Sequence, residues 1–426
     1  MRGSRRIAAL DLGTTKVCCA VAEVEPAGLR ILGVGEVPSR GVRKGAVVDI
    51  DRAAEAVAEA VDAAERMAGV PITGAVVGLA GGHIASQNSR GLVAVAAGRR
   101  EVRADDVNRA VEAARAVAVP SDREIVHVLP REFTVDGQEG VREAVGMTGT
   151  RLGVETHIVT GASTAIQNVV KVMHEAGLDV DDVVLQVLAS AEAVVTEEEL
   201  ERGVVVCDVG GGTTDVAVFC DGSISHTAVI PIGGNHVTGD LAVGLRSDLE
   251  TAETVKRGYG HCLELTLPPD AMVTLTPMGY EEPAAVPQRY LAEVIGPRAR
   301  EMAALIAAEI ERGAPQGLVP GGVVLTGGGS GLRGFAEIVQ QVTHLPVRVA
   351  APFGTSGMDE ALRSPHNATA VGLLRWGARS RPLKGRVVSR NGHSGAARVP
   401  VTAQSSSNEY SISTNSRFGR WLRELF

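Results

Sequence analysis

Two segments about 200 residues apart share one signature, an apolar run closed by an aspartate and followed by glycine and threonine. The first is Ala8-Ala9-Leu10-Asp11-Leu12-Gly13-Thr14-Thr15-Lys16. The second is Val204-Val205-Val206-Cys207-Asp208-Val209-Gly210-Gly211-Gly212-Thr213-Thr214-Asp215. Each lies between two apolar runs of strand length, so each reads as a hairpin. The periodicity predicts strands at 6–12, 17–24 and 30–37, a helix at 52–68 and a strand at 73–80. Strands at 203–209, 214–220 and 223–231 then lead into a helical stretch near 235–258. Two copies of one supersecondary unit predict a duplicated α/β fold with a cleft between its halves.

The hairpins have the chemistry of a phosphate cradle. Phosphate needs N–H donors, and glycine lets the backbone come close enough to offer them. Threonine hydroxyls add donors, and a carboxylate at a strand end can hold a hydrated Mg²⁺ that bridges to phosphate. Asp11 with Gly13, Thr14 and Thr15 has these parts, and Lys16 adds a positive charge. Asp208 with Gly210, Gly211, Gly212 and Thr213 has them again. Either motif alone also reads as a simple turn; their pairing at equivalent places is the stronger signal. A third cluster, Thr326-Gly327-Gly328-Gly329-Ser330-Gly331, follows a strand and suits adenine or phosphate against backbone, or a turn packing strand on helix. It lacks the Gly-Lys-Ser/Thr of a Walker A loop.

The 426 residues carry a net charge of −8 and 3% aromatics, which argues against nucleic acid as a partner. Five cysteines form no C-x-x-C pair, so neither a zinc site nor a disulfide framework is indicated, and a reducing cytosol fits. Too little apolar sequence precedes Asp11 for a signal peptide to be expected, and no run of ~18 apolar residues appears. Residues 83–158 are less regular, with a helix near 104–118 and a strand near 123–135, and read as an inserted subdomain. From 380 to about 411 the chain is rich in Arg, Ser and Gly and reads as a flexible linker. Beyond it, Phe418, Trp421, Leu422, Leu425 and Phe426 fall on one face of a helix, within roughly 140°. Arg417, Arg420, Arg423 and Glu424 lie opposite, the pattern of a helix lying in an anionic membrane surface. Docking of this helix on the protein's own core is the alternative.

Together the three glycine clusters resemble the phosphate-1, phosphate-2 and adenosine motifs of the actin/Hsp70/sugar-kinase superfamily. Within it the chain is similar to the FtsA family, bacterial cell-division homologues of actin. That likeness extends over residues 7–378 and includes Gly41-Val42-Arg43-Lys44-Gly45, Leu188-Ala189-Ser190-Ala191-Glu192-Ala193, Pro231-Ile232-Gly233-Gly234-Asn235-His236 and Ala368-Thr369-Ala370-Val371-Gly372-Leu373. The resemblance implies an α/β, duplicated actin-like (RNase H-like) two-lobe fold. Its first lobe would be 1–82 with 159–201 and 366–380, carrying the inserted subdomain 83–158. The second would be 202–236 with 314–365, and its small subdomain 237–313. A linker at 381–411 and an amphipathic helix at 412–426 would complete the chain.

The resemblance also implies ATP and Mg²⁺ as cofactors. Asp11 and Asp208 would hold the metal through water. Gly13, Thr14, Thr15 and Lys16 would bind phosphate from one lobe, and Gly210, Gly211, Gly212 and Thr213 from the other. Gly327, Gly328, Gly329 and Ser330 would pack on adenosine. Glu250, Glu253 and Lys256 would reach ribose and adenine, although Glu253 and Lys256 also suit an intrahelical ion pair. Where relatives often carry Glu-Pro, this chain has Gln186-Val187; Gln186 can orient water but is a poor base, so at most slow hydrolysis is expected. The implied role is a polymerising scaffold at midcell, on the cytoplasmic face of the membrane. It would grip the C-terminal tail of the tubulin-like protein FtsZ, meet other division proteins, and assemble with itself. A helix at 287–312, with Arg289, Arg298 and Glu301, is the expected site of that grip, although these residues also suit a solvated helix face. A kinase or other ATPase of the superfamily without a tether is the competing reading.

Overall fold

The computed structural model describes residues 5–379 apart from 27, 97–99, 280–281, 315–318 and 358–359. The expected linker and membrane helix, including Arg417, Phe418, Arg420, Trp421, Leu422, Arg423, Leu425 and Phe426, lie outside the described residues.

Two sheets repeat one topology. The first runs Asp179–Leu185, Gly74–Leu79, Arg5–Leu12, Lys16–Glu25, Gly28–Pro38, with Thr355–Gly357 added at its edge. The second runs Val347–Val349, Val323–Thr326, Val204–Val209, Thr214–Cys220, Ser223–Ile230. In each, two parallel pairings are followed by two antiparallel ones. The duplication expected from the two hairpins is therefore present strand by strand.

Two helices, Gln186–Val194 and Ala368–Arg379, lie between the sheets. Every residue of Gln186–Val194 is buried, as a helix walled by two sheets must be. Its core joins Ala9 and Ala20 of the first sheet to Val206 and Ala217 of the second. The helices cross so closely that a Cβ on Gly372 would stand 1.7 Å from the Ala189 carbonyl oxygen. Arg5 fastens the last turn of Ala368–Arg379, donating to the carbonyls of Gly377 (2.7 Å) and Ala378 (3.0 Å), which no helical N–H reaches.

The outer faces carry amphipathic helices. Ile50–Ala68 begins at Asp49, whose side chain accepts from Arg52 N (3.1 Å), and ends at Gly69 in the left-handed conformation (φ 66°). Gly234–Leu245, Gln288–Gly313 and Phe335–Thr343 cover the second sheet. The helical stretch expected near 235–258 is corrected to two helices, Gly234–Leu245 and Leu249–Tyr259. Arg246 takes a left-handed conformation (φ 51°) that ends the first, and Asp248 caps the second by accepting from Thr251 N (2.8 Å).

The inserted subdomain is an antiparallel sheet of Ala85–Ala94, Arg151–Ala162, Arg123–Val135 and Gln138–Val141, covered by the helix Ala104–Arg115. It has its own core, with Val107, Ala110, Phe133 and Leu152. It also meets the second lobe's edge strand: Ser86 Oγ donates to Thr227 O (2.8 Å), and buried His157 bonds Thr227 Oγ1 (2.9 Å).

Candidate nucleotide crevice

Asp11 and Asp208 are each the penultimate residue of their strand, and each precedes a hairpin closed in the same way. Gly13 N donates to Lys16 O (3.0 Å), and Gly210 N to Thr213 O (2.9 Å). The hairpins face each other at contact distance. A Cβ on Gly211 would come 2.0 Å from Thr15 Oγ1, and one on Gly212 would come 2.7 Å from Thr14 Oγ1. Glycine at 211 and 212 is what lets the two turns approach.

One helix serves both aspartates. Gln186 Nε2 donates to Asp11 Oδ1 (3.1 Å), and Ser190 Oγ, one turn later, donates to Asp208 Oδ2 (2.5 Å). Thr369, from the second central helix, also donates to Asp208 Oδ2 (3.0 Å). Sequence reasoning assigned no role to Ser190 or Thr369. Their only sequence signal was membership of the Leu188–Ala193 and Ala368–Leu373 segments.

The electrostatics favour a cation. Burial raises the Asp11 carboxyl to about 6, with nearby Lys16 pulling it down and Asp208 pushing it up. Burial also raises Asp208, against the hydrogen bonds from Ser190 and Thr369. Asp215, opposite Asp208 in the strand pair, is raised well above the ordinary range by burial, then by Asp208 and Asp11. Its Oδ1 is buried with no hydrogen-bond partner. Three acids withdrawn from water in one crevice, one with an orphaned oxygen, suit a divalent cation. Among the described residues no three His, Cys, Asp or Glu side chains converge to ligate a metal directly, so a hydrated Mg²⁺ fits this donor set.

A pH dependence follows from Asp11. Between about pH 4 and 6 the folded state keeps a proton that the unfolded chain has released. Stability from this group is therefore lost as pH rises through that window. In magnesium-free buffer, the melting temperature of Asp11→Asn relative to the parent should climb from pH 4 to pH 7. A constant difference would contradict the raised pKa.

The remaining expected residues fall into three groups. Lys16 bonds Asn367 and pairs with Glu36 (3.3 Å), tying the first hairpin to the start of the last helix. Glu36 is held down to about 2, first by its hydrogen bond to His366. Gly327 (φ 80°) lies against Asp208, since a Cβ there would stand 2.2 Å from Asp208 Oδ1, and Gly329 packs on Val209. Gly328 and Ser330 continue the same turn, with Ser330 Oγ donating to Gly327 O (2.7 Å). Lys256 pairs with Glu253 (2.5 Å) and donates to Thr238 Oγ1 (2.8 Å) and Gly234 O (3.2 Å). Gly234 N in turn donates to Gly210 O (2.9 Å), so the Glu253–Lys256 pair belongs to the crevice wall. Glu250 is exposed on the first turn of its helix and is not bonded into that wall.

Arg289, Arg298 and Glu301 lie on Gln288–Gly313. Arg289 donates to Leu267 O (2.8 and 3.1 Å), and Arg298 bonds Asp240 (2.8 and 3.1 Å) and Glu301. Both arginines are thus engaged within their own lobe.

Duplicated sheets, a helix pair between them and facing hairpins define an actin-like protein. Solved structures agree. The PilM-PilN type IV pilus biogenesis complex aligns with a TM-score of 0.64 at 18% identity, covering 87% of this chain and 98% of that one. MreB5 of Spiroplasma citri bound to ADP aligns with a TM-score of 0.53 at 17% identity, covering 86% and 94%. The family described as "Cell division protein FtsA" matches residues 205–372, and "SHS2 domain inserted in FTSA" matches 81–160. The chain is 43% identical over 378 residues to the cell division protein FtsA of Pseudomonas aeruginosa, covering 88% of this chain and 90% of that one. To those of Neisseria meningitidis and Escherichia coli K12 it is 41% and 38% identical, covering 92% and 88% of this chain and 96% and 90% of theirs. The chain belongs to the FtsA family of bacterial cell division proteins.

Proposed function

We propose that the chain binds Mg-ATP between its hairpins and works as a membrane-tethered scaffold of the division machinery. The observation that carries the nucleotide reading is the apposition of Gly211 and Gly212 with Thr15 and Thr14, above three buried acids. Asp11 and Asp208 would hold hydrated magnesium, with Asp215 beside them. Backbone amides of the two hairpins would hold phosphate. Bound magnesium supplies charge neutralisation for the phosphates and the acids together. Gln186, already bonded to Asp11, would orient water at that carboxylate. As an amide it gives weak general-base help, so turnover is slow. MreB5, named as bound to ADP, supports a nucleotide in this fold.

The tether rests on the C-terminal sequence. Basic residues outnumber acidic ones in 380–426, although the whole chain is at −8. This polarity draws the tail toward an anionic surface that the body avoids. One amphipathic helix binds reversibly, because interfacial burial of five bulky residues is offset by the entropy of ordering them. Several tails on one polymer gain ~10²–10⁴ in avidity. Attachment and self-assembly therefore reinforce each other, and a filament of FtsZ gripped by the second lobe would be held to the membrane.

The test is co-sedimentation with anionic vesicles, with ATP or ADP, of the full chain and of a chain ending at Arg379. The full chain should pellet, most strongly under the nucleotide that favours assembly, and the shortened chain should stay in solution. Trp421→Glu should reduce the bound fraction at least about tenfold, since it replaces the largest apolar side chain of that face with a charge. Unchanged pelleting of Trp421→Glu would contradict the tether.

A further inference from the structure

The segment Gly41-Val42-Arg43-Lys44-Gly45 forms a small ribbon, Val42–Arg43 paired with Ala46–Val47. It touches the phosphate hairpins of both lobes. Gly45 N donates to Thr14 Oγ1 (3.0 Å), and a Cβ on Gly212 would stand 2.9 Å from Lys44 Cα. On its other side Gly45 packs on Gly81, where the chain leaves for the inserted subdomain. Gly41 and Gly45 take left-handed backbone (φ 73° and 74°), as their contacts require. Lys44, between them, is also left-handed (φ 50°) although it has a side chain. A glycine would sit at 44 without strain, so the side chain is retained at a conformational cost. The lysine is exposed, and among the described residues no hydrogen bond or ion pair holds its ammonium. Lys16, by contrast, is bonded to Asn367 and Glu36.

The second hairpin has a direction. Its first glycine, Gly210, accepts from Gly234 N, next to Gly329 and Lys256, on the side assigned to the nucleoside. Its third, Gly212, faces Thr14 and Lys44. A nucleotide whose base lies by Gly234 and Gly329 passes Gly210 first and brings its outermost phosphate toward Gly212. We propose that Lys44 contacts the terminal phosphate of a nucleoside triphosphate, so that the ribbon distinguishes triphosphate from diphosphate. This rests on the nucleotide reading above. The four-carbon stem of lysine gives the ammonium the reach and the mobility to close on a charge that is present only in the triphosphate.

The experiment is calorimetric titration of the full chain, Lys44→Gly and Lys44→Arg with Mg-ATP and with Mg-ADP. Lys44→Gly should weaken ATP about tenfold, the loss of one charge-assisted contact, and leave ADP within about twofold. Lys44→Arg should keep most of the ATP preference. The melting temperature of Lys44→Gly should equal or exceed the parent's, because glycine relieves the left-handed backbone. Equal losses for ATP and ADP, or no loss for either, would overturn the assignment to Lys44 and leave the nucleotide site standing. Binding of neither nucleotide by the parent chain would overturn both.

Discussion

Asp208→Asn is expected to weaken Mg-ATP at least about 100-fold while leaving the fold intact or more stable. The two effects have opposite signs for one reason. Asp208 is buried beside Asp11 and Asp215, and burial raises all three carboxyls, so at neutral pH their charges oppose folding. An asparagine oxygen can still accept from Ser190 and Thr369, so the central helices stay anchored. What is lost is a charge that a hydrated cation would use, and with it the bridge from protein to phosphate. Calorimetric titration with Mg-ATP, alongside a thermal melt in magnesium-free buffer, reads both quantities. Wild-type affinity in the variant, or a fall in melting temperature large enough to explain the lost binding, would contradict this role for Asp208. Chelation of magnesium should bring the parent chain close to the variant.

Gly372→Ala is expected to cost at least about 3 kcal/mol, at the upper end of overpacking effects. Most added methyl groups meet flexible neighbours; this one meets the backbone of Ala189, with its Cβ 1.7 Å from the carbonyl oxygen and 2.2 Å from the carbonyl carbon. Neither helix can yield by itself, because both are buried between the two sheets. Separating them would also draw Ser190 away from Thr369, now 3.0 Å apart, and from there disturb Asp208. Gly239→Ala is the control. Gly239 lies within Gly234–Leu245 and a Cβ there would meet nothing within 4 Å, so alanine should stabilise by about 0.5–1 kcal/mol. Denaturant midpoints of the two variants should move in opposite directions. A Gly372→Ala midpoint near the parent's would mean that the helices are not packed this tightly.

The hairpins were legible in the sequence because their chemistry is local. Asp, Gly and Thr follow one another in each, and the apolar runs on either side determine which strands they join. The inserted subdomain was legible as a break in the α/β rhythm, and the structure gives it a sheet and a core of its own. Less legible was whatever depends on distant crossings. Ser190 and Thr369 are 179 positions apart and meet only because Gly372 lets their helices touch. Arg298, expected on a partner-binding or solvated helix face, is bonded to Asp240, 58 positions away. The break at Arg246 carried no glycine to announce it, and an arginine took the left-handed position instead. Lys256 read equally as one half of a helical ion pair or as a ligand-facing residue. The structure shows the pair and places it against Gly234 of the crevice wall.

The most direct measurement of the central claim is a double-mutant cycle on Mg-ATP affinity, with Asp11→Asn, Asp208→Asn and the two combined. If one hydrated ion bridges both lobes, either substitution alone removes most of the binding and the second adds little, so the combined loss falls well short of the product of the single losses. Losses that multiply as independent factors, or single substitutions that leave affinity unchanged, would show that the two aspartates do not share an ion and that the hairpins do not close on one nucleotide.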